Sequence, residues 1–360
     1  MATIYDVAKA AGVSPKTVSR VLNSDAPVGV ATREAVEKAM RELGYVPSSA
    51  ARMMRSNRSG LIGLITGAIS MQPDQPDGLP ELIIVQSIQR AIAASGRTLM
   101  IADSLGVRDN VPRLVQTFLE HRVEGLIYVA AHHQRIELPA IPADTPVVLA
   151  NCFDDAGTAC VIPDDRRGER DLVQRLLKAG HRRIAYLTLS PNIVATGLRI
   201  AGYRDALADS GIAYDETLVD TGEVTGPEED SQLLWNAIDR MLSLPHPPTV
   251  FCCGNDKMAL RVYGILRSRG LKVPDEISVA GYDNYRMIAE TLYPPLTTVE
   301  LPYVAMGVRA AQRLLSLISG EGRNTSEPAL VAGPVYWRSS VTDLQPANVS
   351  KLKIVREDPQ

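Results

Sequence analysis

The 360-residue chain predicts an α/β protein in two unlike parts, a small all-α head over the first fifty-odd residues and a large parallel α/β body after residue 60. Three observations predict this. Residues 3–43 carry three short stretches of three-four apolar spacing, punctuated by Gly and Pro. From Leu61 onward, short continuous apolar runs alternate with amphipathic helical patterns, as parallel strands buried on both faces do. Charge also divides at the same place. Residues 1–58 hold nine Lys/Arg against five Asp/Glu, a head of +4, which leaves −7 on the rest of a chain whose net charge is −3. A basic end on an acidic body points to a polyanionic partner held at that end alone. At about 150 residues per domain, this length holds two or three domains.

In the head, Thr3 can cap a helix whose apolar positions are Ile4, Val7, Ala8 and Ala11, and Gly12 ends it with the positive φ that a helix C-terminus often needs. Ser14 is a natural N-cap and Pro15 sits at N1, where its missing N–H costs nothing. The second helix then runs from about Pro15 to Leu22, with Val18, Val21 and Leu22 facing the first. Pro15, Lys16, Thr17, Ser19 and Arg20 are left as the DNA-facing candidates. Two helices at this spacing are the helix-turn-helix arrangement that lays the second helix in a major groove. Arg20 can give two donors to a guanine edge, and Lys16 can reach a base or a phosphate. A plain helical hairpin with solvated charges is the competing reading of this segment.

A third helix, roughly Ala31 to Leu43, presents Ala35, Val36, Ala39, Met40 and Leu43 to close a three-helix core, and Gly44-Tyr45-Val46-Pro47 stops it. Ser48 to Arg58 is alanine-rich and basic. A helix this short is marginal alone in water, so it is expected to form only against a partner.

Tyr5-Asp6-Val7-Ala8, Ala11-Gly12-Val13-Ser14, Thr17 through Asn23, Thr32-Arg33-Glu34, Leu43 through Pro47 and Ala51-Arg52 together resemble the lactose-repressor (LacI/GalR) family of bacterial transcription regulators. The resemblance implies that residues 48–59 are a hinge helix and linker, and that two such helices from a homodimer enter the minor groove of a palindromic double-stranded operator. Ala51 and Met54 fall at its DNA-contacting positions, Met54 at the lever position that is usually leucine. Gly29 stands where the family often has serine, which removes a hydroxyl contact to phosphate.

In the body, strands are expected at Leu61–Thr66, Thr98–Ala102, Gly125–Ala130, Val147–Ala150, Ala159–Ile162, Ile184–Leu189, Val250–Cys253 and Ser278–Gly281. Helical patterns lie near Glu81–Ser95, Val111–Glu120, Arg166–Ala179, Leu198–Ser210, Asp230–Leu244, Asp256–Arg269 and Tyr303–Ser319. The resemblance makes this a two-lobed body like the periplasmic sugar-binding proteins. The expected division is a head at 1–47, the hinge at 48–59, a first lobe at 60–163 with a return over 293–325, a second lobe at 164–292 with 326–345, and a tail at 346–360. Leu344 to Gln360 lacks heptads, so no tetramerising coiled coil is expected there.

Ligands of open parallel sheets sit beyond the carboxyl ends of the strands. That rule nominates Ser70 after the first strand, Asp103 after the second, His132 (with His133 beside it) after the third, Asn151 after the fourth, and Asn255 and Asp283 after later ones. Converging polar groups of this kind suit a hydroxyl-rich small molecule. An Asx after a strand also caps turns and helices, so each has an ordinary structural role as its alternative. The family resemblance adds Arg199, in Leu198-Arg199-Ile200-Ala201-Gly202-Tyr203, as an effector contact, and supports Asp283, Asn255 and Asn151. The aromatic that members commonly place after a Gly-Asp pair is Val224 here, in Thr221-Gly222-Glu223-Val224, which argues against a flat purine and leaves a sugar or sugar acid.

No Gly-x-Gly-x-x-Gly follows a strand, and neither a phosphate loop ending in Gly-Lys-Ser/Thr nor a Gly-x-Ser-x-Gly elbow is present. The chain is therefore expected not to be an enzyme. Cys152, Cys160, Cys252 and Cys253 lack metal-ligand spacing and are expected to be buried and reduced, with no metal and no cofactor. No transmembrane run or signal peptide is visible, so a cytoplasmic protein without membrane contact is expected. The expected function is an effector-responsive repressor of carbohydrate-metabolism genes. The alternative is a global regulator whose body binds a protein partner instead of a metabolite.

Overall fold

The computed structural model describes residues 2–23, 27–46, 58–67, 79–222, 227–321 and 327–344. Of the expected features, Pro47, the hinge with Ala51 and Met54, Ser70, Val224 and the 346–360 tail lie outside the described residues.

The head is three helices, α1 (Ile4–Ala10), α2 (Pro15–Asn23) and α3 (Val30–Leu43). Thr3 caps α1 in a reciprocal box with Asp6: the Asp6 N–H donates to the Thr3 hydroxyl, and the Thr3 backbone N–H donates to the Asp6 carboxylate. Ser14 caps α2 by accepting from the Thr17 N–H at 3.1 Å. Val7, Ala8, Val18, Val21, Val36 and Ala39 form the core between the three helices. Leu43, expected inside, is 40% exposed, because α3 reaches its left-handed stop at Gly44 (φ +58) beyond the part that packs on α1 and α2.

The body holds two six-stranded sheets. In chain order its elements begin with β1 (Leu61–Thr66), α4 (Leu79–Ala94), β2 (Thr98–Asp103), α5 (Val111–Glu120), β3 (Leu126–Arg135), β4 (Val147–Phe153) and β5 (Cys160–Pro163). There follow α6 (Asp165–Lys178), β6 (Ile184–Thr188), α7 (Val194–Asp209), β7 (Val219–Thr221), α8 (Pro227–Leu242), β8 (Val250–Cys253), α9 (Asp256–Ser268) and β9 (Ser278–Asp283). The last elements are α10 (Arg286–Ala289), β10 (Thr297–Glu300), α11 (Tyr303–Ser319), β11 (Ala329–Val331) and β12 (Val335–Tyr336). The first sheet has the order β2-β1-β3-β4-β5-β11 and the second β7-β6-β8-β9-β10-β12. All pairings are parallel except β10 with β12.

Both sheets are packed on both faces. In the first lobe, Ile62, Leu64, Ile127, Val129, Val148 and Ala150 meet Ile84 and Ile88 of α4 and Met306, Ala310 and Leu314 of α11. Its other face packs on Val111, Leu114, Val115 and Phe118 of α5. The second lobe repeats the plan, with Leu187, Phe251 and Val279 against α8 and α9 on one side, and Tyr186, Cys252 and Ala280 against α6 and α7 on the other. The four cysteines are free thiols within these layers.

The expected lobe boundaries need one correction. The return to the first lobe is not 293–325. Thr297–Glu300 pairs in the second sheet, and Ala329–Val331 pairs in the first, so the segment serving the first lobe begins at α11 and ends with β11. Three- and four-residue strands carry too little pattern to be assigned a sheet from sequence. The chain therefore crosses between lobes three times, after β5, before α11 and after β11. The crossings are tied to one another: the Asp164 N–H donates to the Val331 carbonyl at 2.8 Å, and the Glu300 N–H to the Pro334 carbonyl at 2.9 Å. Segments that cross between lobes are where a hinge would act.

Candidate functional site

Two sites emerge, one on the head and one where the lobes meet. On α2 the side chains of Lys16 and Arg20 are four residues apart and both exposed, so they share one outward face. Pro15, Thr17 and Ser19 are half-buried beside them. The Thr17 hydroxyl lies 2.9 Å from that of Ser14, so part of its hydrogen-bonding capacity goes to the helix cap. Gly29 stands at the N-cap of α3 with no side-chain bond to it.

The second site is built around Arg199, in the second turn of α7 and 3% exposed. Its Nε donates to Asp165 Oδ1 at 2.7 Å, its Nη1 donates to the Gly254 carbonyl at 2.7 Å, and its guanidinium lies over the Tyr282 ring, 3.5 Å from the centroid. Asp165 is the first residue of α6, directly after the crossing from β5. Its other oxygen, Oδ2, lies 2.8 Å from His133 Nδ1. Burial alone would raise the Asp165 carboxyl, but the Arg199 charge and the His133 hydrogen bond prevail and hold it below the ordinary carboxylate range. An ionised carboxylate only accepts, so His133 Nδ1 is the donor.

His133 belongs to the first lobe. Where β3 pairs with β4, the register slips between Val129 and Gln134, so that Ala130 through His133 bulge opposite Asn151. A bulge redirects the side chains it carries. His132 is exposed, while His133 is buried, with its ring edge-on to Phe153 at 5.8 Å. Asn151 supports the bulge: it is 2% exposed, has φ +61, and donates from Nδ2 to the Ala130 carbonyl at 3.1 Å.

The remaining expected residues fall as follows. Asp283 ends β9 at φ +112, a backbone conformation costly for any residue with a Cβ, and its charge acts on Arg199. Asn255 caps α9 by accepting from the Met258 N–H at 2.7 Å, and it follows Gly254, whose carbonyl holds Arg199. Asp103 ends β2 with its Oδ1 accepting from the Leu105 N–H at 2.7 Å. Arg199, Asn255 and Asp283 are thus brought to one place, whereas Asp103 stands at the outer edge of the first sheet and Asn151 faces β3.

Four participants were not anticipated: Asp165, His133 as the inward member of its pair, Tyr282 and Glu169. The strand-end rule applies equally to Asp164-Asp165 after β5, so that signal existed. Glu169 follows Asp165 by one helical turn, is 1% exposed, and neither carboxylate oxygen has a hydrogen-bond partner. Burial pushes its carboxyl up to about 8, with the Arg199 charge pulling the other way and Asp165 adding to the rise. It is a neutral acid at physiological pH. Among the described residues no His/Cys/Asp/Glu group could hold a metal ion, and no helix is long and apolar enough to cross a membrane.

A three-helix DNA-reading head on a two-lobed binding-protein body is the plan of a ligand-responsive transcription regulator. Residues 3–48 match the pattern of bacterial regulatory proteins of the lacI family, and residues 173–341 match the periplasmic binding protein-like domain. The HTH-type transcriptional regulator GalR of Escherichia coli strain K12 is 33% identical over 337 residues, 92% of this chain and 94% of GalR. The sucrose operon repressor of Escherichia coli is 31% identical over 343 residues, 94% of this chain and all of the repressor. Among solved structures, the lac repressor dimer bound to operator and the anti-inducer ONPF superposes with a TM-score of 0.72 at 28% identity, covering 95% of this chain and 99% of that one. The chain belongs to the LacI/GalR family of bacterial transcription regulators. Membership makes it a DNA-binding regulator and not an enzyme.

Proposed function

We propose that this protein is a dimeric repressor of carbohydrate-metabolism genes that binds a palindromic operator and is released or tightened by a hydroxyl-rich small molecule. The observation that carries this reading is the convergence on Arg199: one buried guanidinium, held by Asp165 and Gly254, stacked on Tyr282 and faced by Asp283, beside a hinge of three crossings. A group fixed so firmly before a ligand arrives loses little entropy on binding. Relatives named for sucrose and ribose operons support the choice of a sugar-like effector.

Lys16 and Arg20 read base edges, while Ala51 and Met54 of the hinge contact the minor groove. The effector contacts are Arg199, Asp283 and Asn255; of the other strand-end nominees, Ser70 and His132 are kept as further contacts, Asp103 stands at the outer edge of the first sheet and Asn151 supports the β3 bulge. Because the effector site sits between lobes, a ligand that prefers one lobe arrangement shifts that equilibrium, and a coupling of about 1–3 kcal/mol to DNA is the usual scale. The test is operator binding by the full chain, followed by fluorescence anisotropy, across a sugar panel. A change in operator affinity with at least one compound supports the reading. If a protein partner and no small molecule changes it, the body is a protein-binding module.

A further inference from the structure

The cleft around Arg199 has an unusual balance of charge. Its buried cation is already matched by a buried anion: Asp165, 1% exposed, lies 2.7 Å from Arg199 Nε. Asp283 adds a second carboxylate whose charge reaches the guanidinium. Glu169, within the same electrostatic reach, carries no charge at neutral pH. Arg338, beside Asp283 through its bond to Asn284, is committed elsewhere, with Nη2 2.8 Å from Asn284 Oδ1, Nη1 2.8 Å from the Leu296 carbonyl, and a contact to Glu290. A carboxylate or phosphate arriving at Arg199 would thus meet a guanidinium whose charge is already balanced.

Geometry adds to this. Arginine recognises an anion strongly when two parallel N–H groups of its fork are available together. Here Nε is bonded to Asp165 and Nη1 to the Gly254 carbonyl, and the face of the fork rests on Tyr282. The side-on pair that includes Nε is therefore closed to a carboxylate, and what remains is the second Nη1–H and the two N–H groups of Nη2. Asp165 cannot swing aside easily, because His133 holds its second oxygen from the opposite lobe and Phe153 and the Asn151-pinned bulge hold His133.

We propose that Asp165 is the charge-selecting residue of the effector site: by occupying and neutralising Arg199, with His133 as its positioning partner, it admits uncharged polyhydroxylated ligands and rejects sugar acids and sugar phosphates. This rests on the effector reading above and narrows it from sugar or sugar acid to an uncharged sugar. Removing the Asp165 charge while keeping its shape frees the cation. Asp165→Asn then turns Arg199 into an anion-binding group, still opposed by the Asp283 charge.

The experiment is a thermal-shift and calorimetric panel on the full chain. The probes are neutral sugars (galactose, ribose, sucrose, cellobiose), sugar acids (gluconate, galacturonate) and glucose 6-phosphate. The wild type is expected to respond to at least one neutral sugar and to none of the anions more strongly. In Asp165→Asn the ratio of neutral to anionic affinity is expected to fall by about tenfold or more, the scale of one charge-assisted hydrogen bond. A purely structural role for Asp165 would lower affinity for all probes alike and leave that ratio unchanged, which overturns the proposal. A wild type that prefers a sugar acid or phosphate also overturns it, and this arm stays decisive if the Asn variant does not fold. Silence of the wild type toward every compound overturns the effector reading itself, and this proposal with it; a wild type that answers only to anions overturns this proposal alone.

Discussion

Replacing Glu169 by Gln should change how stability depends on pH, and the size of the change follows from the burial of this one carboxyl. Glu169 is fully enclosed, lacks hydrogen-bond partners for either oxygen, and holds its proton up to about pH 8, against 4.5 for an exposed glutamate. Between those values the folded state binds a proton that the unfolded state has released, so stability falls as pH rises. Across the whole window the loss is on the order of 3–5 kcal/mol. His181 works in the opposite sense. Burial, partly opposed by its bond to the Thr342 carbonyl and by the Asp343 charge, lowers its ring to about 4 from 6.5, so its contribution is lost as pH falls through that range. The two slopes oppose each other between about pH 4.5 and 6.5, and above 6.5 the His181 slope is spent while that of Glu169 continues. Glutamine copies the neutral acid without its titration. The measurement is the melting temperature of wild type and Glu169→Gln at pH 5, 6.5 and 8. Near pH 5 the two should be close, and at pH 8 the variant should melt about 5–10 °C higher. Asp256, also pushed up by burial and by the Asp283 charge, slopes the same way but is common to both chains. Melting curves that stay parallel at all three pH values would refute the reasoning, since they would mean Glu169 titrates alike in folded and unfolded chains.

Arg20→Ala should cost about 1–3 kcal/mol in operator affinity and relax preference at one base pair, as read by competition binding with single-base operator variants. Unchanged preference would remove Arg20 from base reading. Asp283→Ala should abolish the thermal and DNA-binding response to the effector while operator affinity without ligand stays intact; loss of both would mark a folding defect. Gly202→Ala should destabilise the body by about 1–3 kcal/mol, because an added Cβ would collide with the Arg166 carbonyl where α6 and α7 cross, and chemical denaturation would report it. Met54→Ala should weaken specific operator binding while leaving nonspecific DNA binding unchanged, as salt-dependent titrations on both DNAs would show.

The head was legible almost residue by residue, since capping residues and glycine stops act over three or four positions. Thr3, Ser14 and Gly44 stand where their chemistry predicts. The body strands were legible for a related reason: short continuous apolar runs set between amphipathic helical patterns, such as Val147–Ala150 and Val250–Cys253, have few other uses. What escaped is what depends on contacts distant in sequence. The sheet assignments of β10 and β11 are set by which neighbours they meet, not by their own four and three residues. The strand-end rule found Asp283 and Asn255 but could not distinguish a ligand-facing carboxylate from the one that neutralises Arg199. Asp165 and His133 are 32 residues apart and on different lobes. The choice between His132 and His133 turned on a bulge, and alternation along an unbroken strand cannot foresee where a strand bulges. Arg199 came from family resemblance alone, because a lone arginine in an amphipathic helix reads as a solvated charge.

The central claim is that occupancy of the site around Arg199 is communicated to the DNA-reading head. It is tested most directly by titrating a labelled operator with the full chain, with and without a compound that raises its melting temperature. This compound is expected to shift operator affinity by about 5- to 150-fold, and Arg199→Leu is expected to lose both the melting shift and the affinity change. A compound that binds and stabilises the body yet leaves operator affinity untouched would contradict the claim.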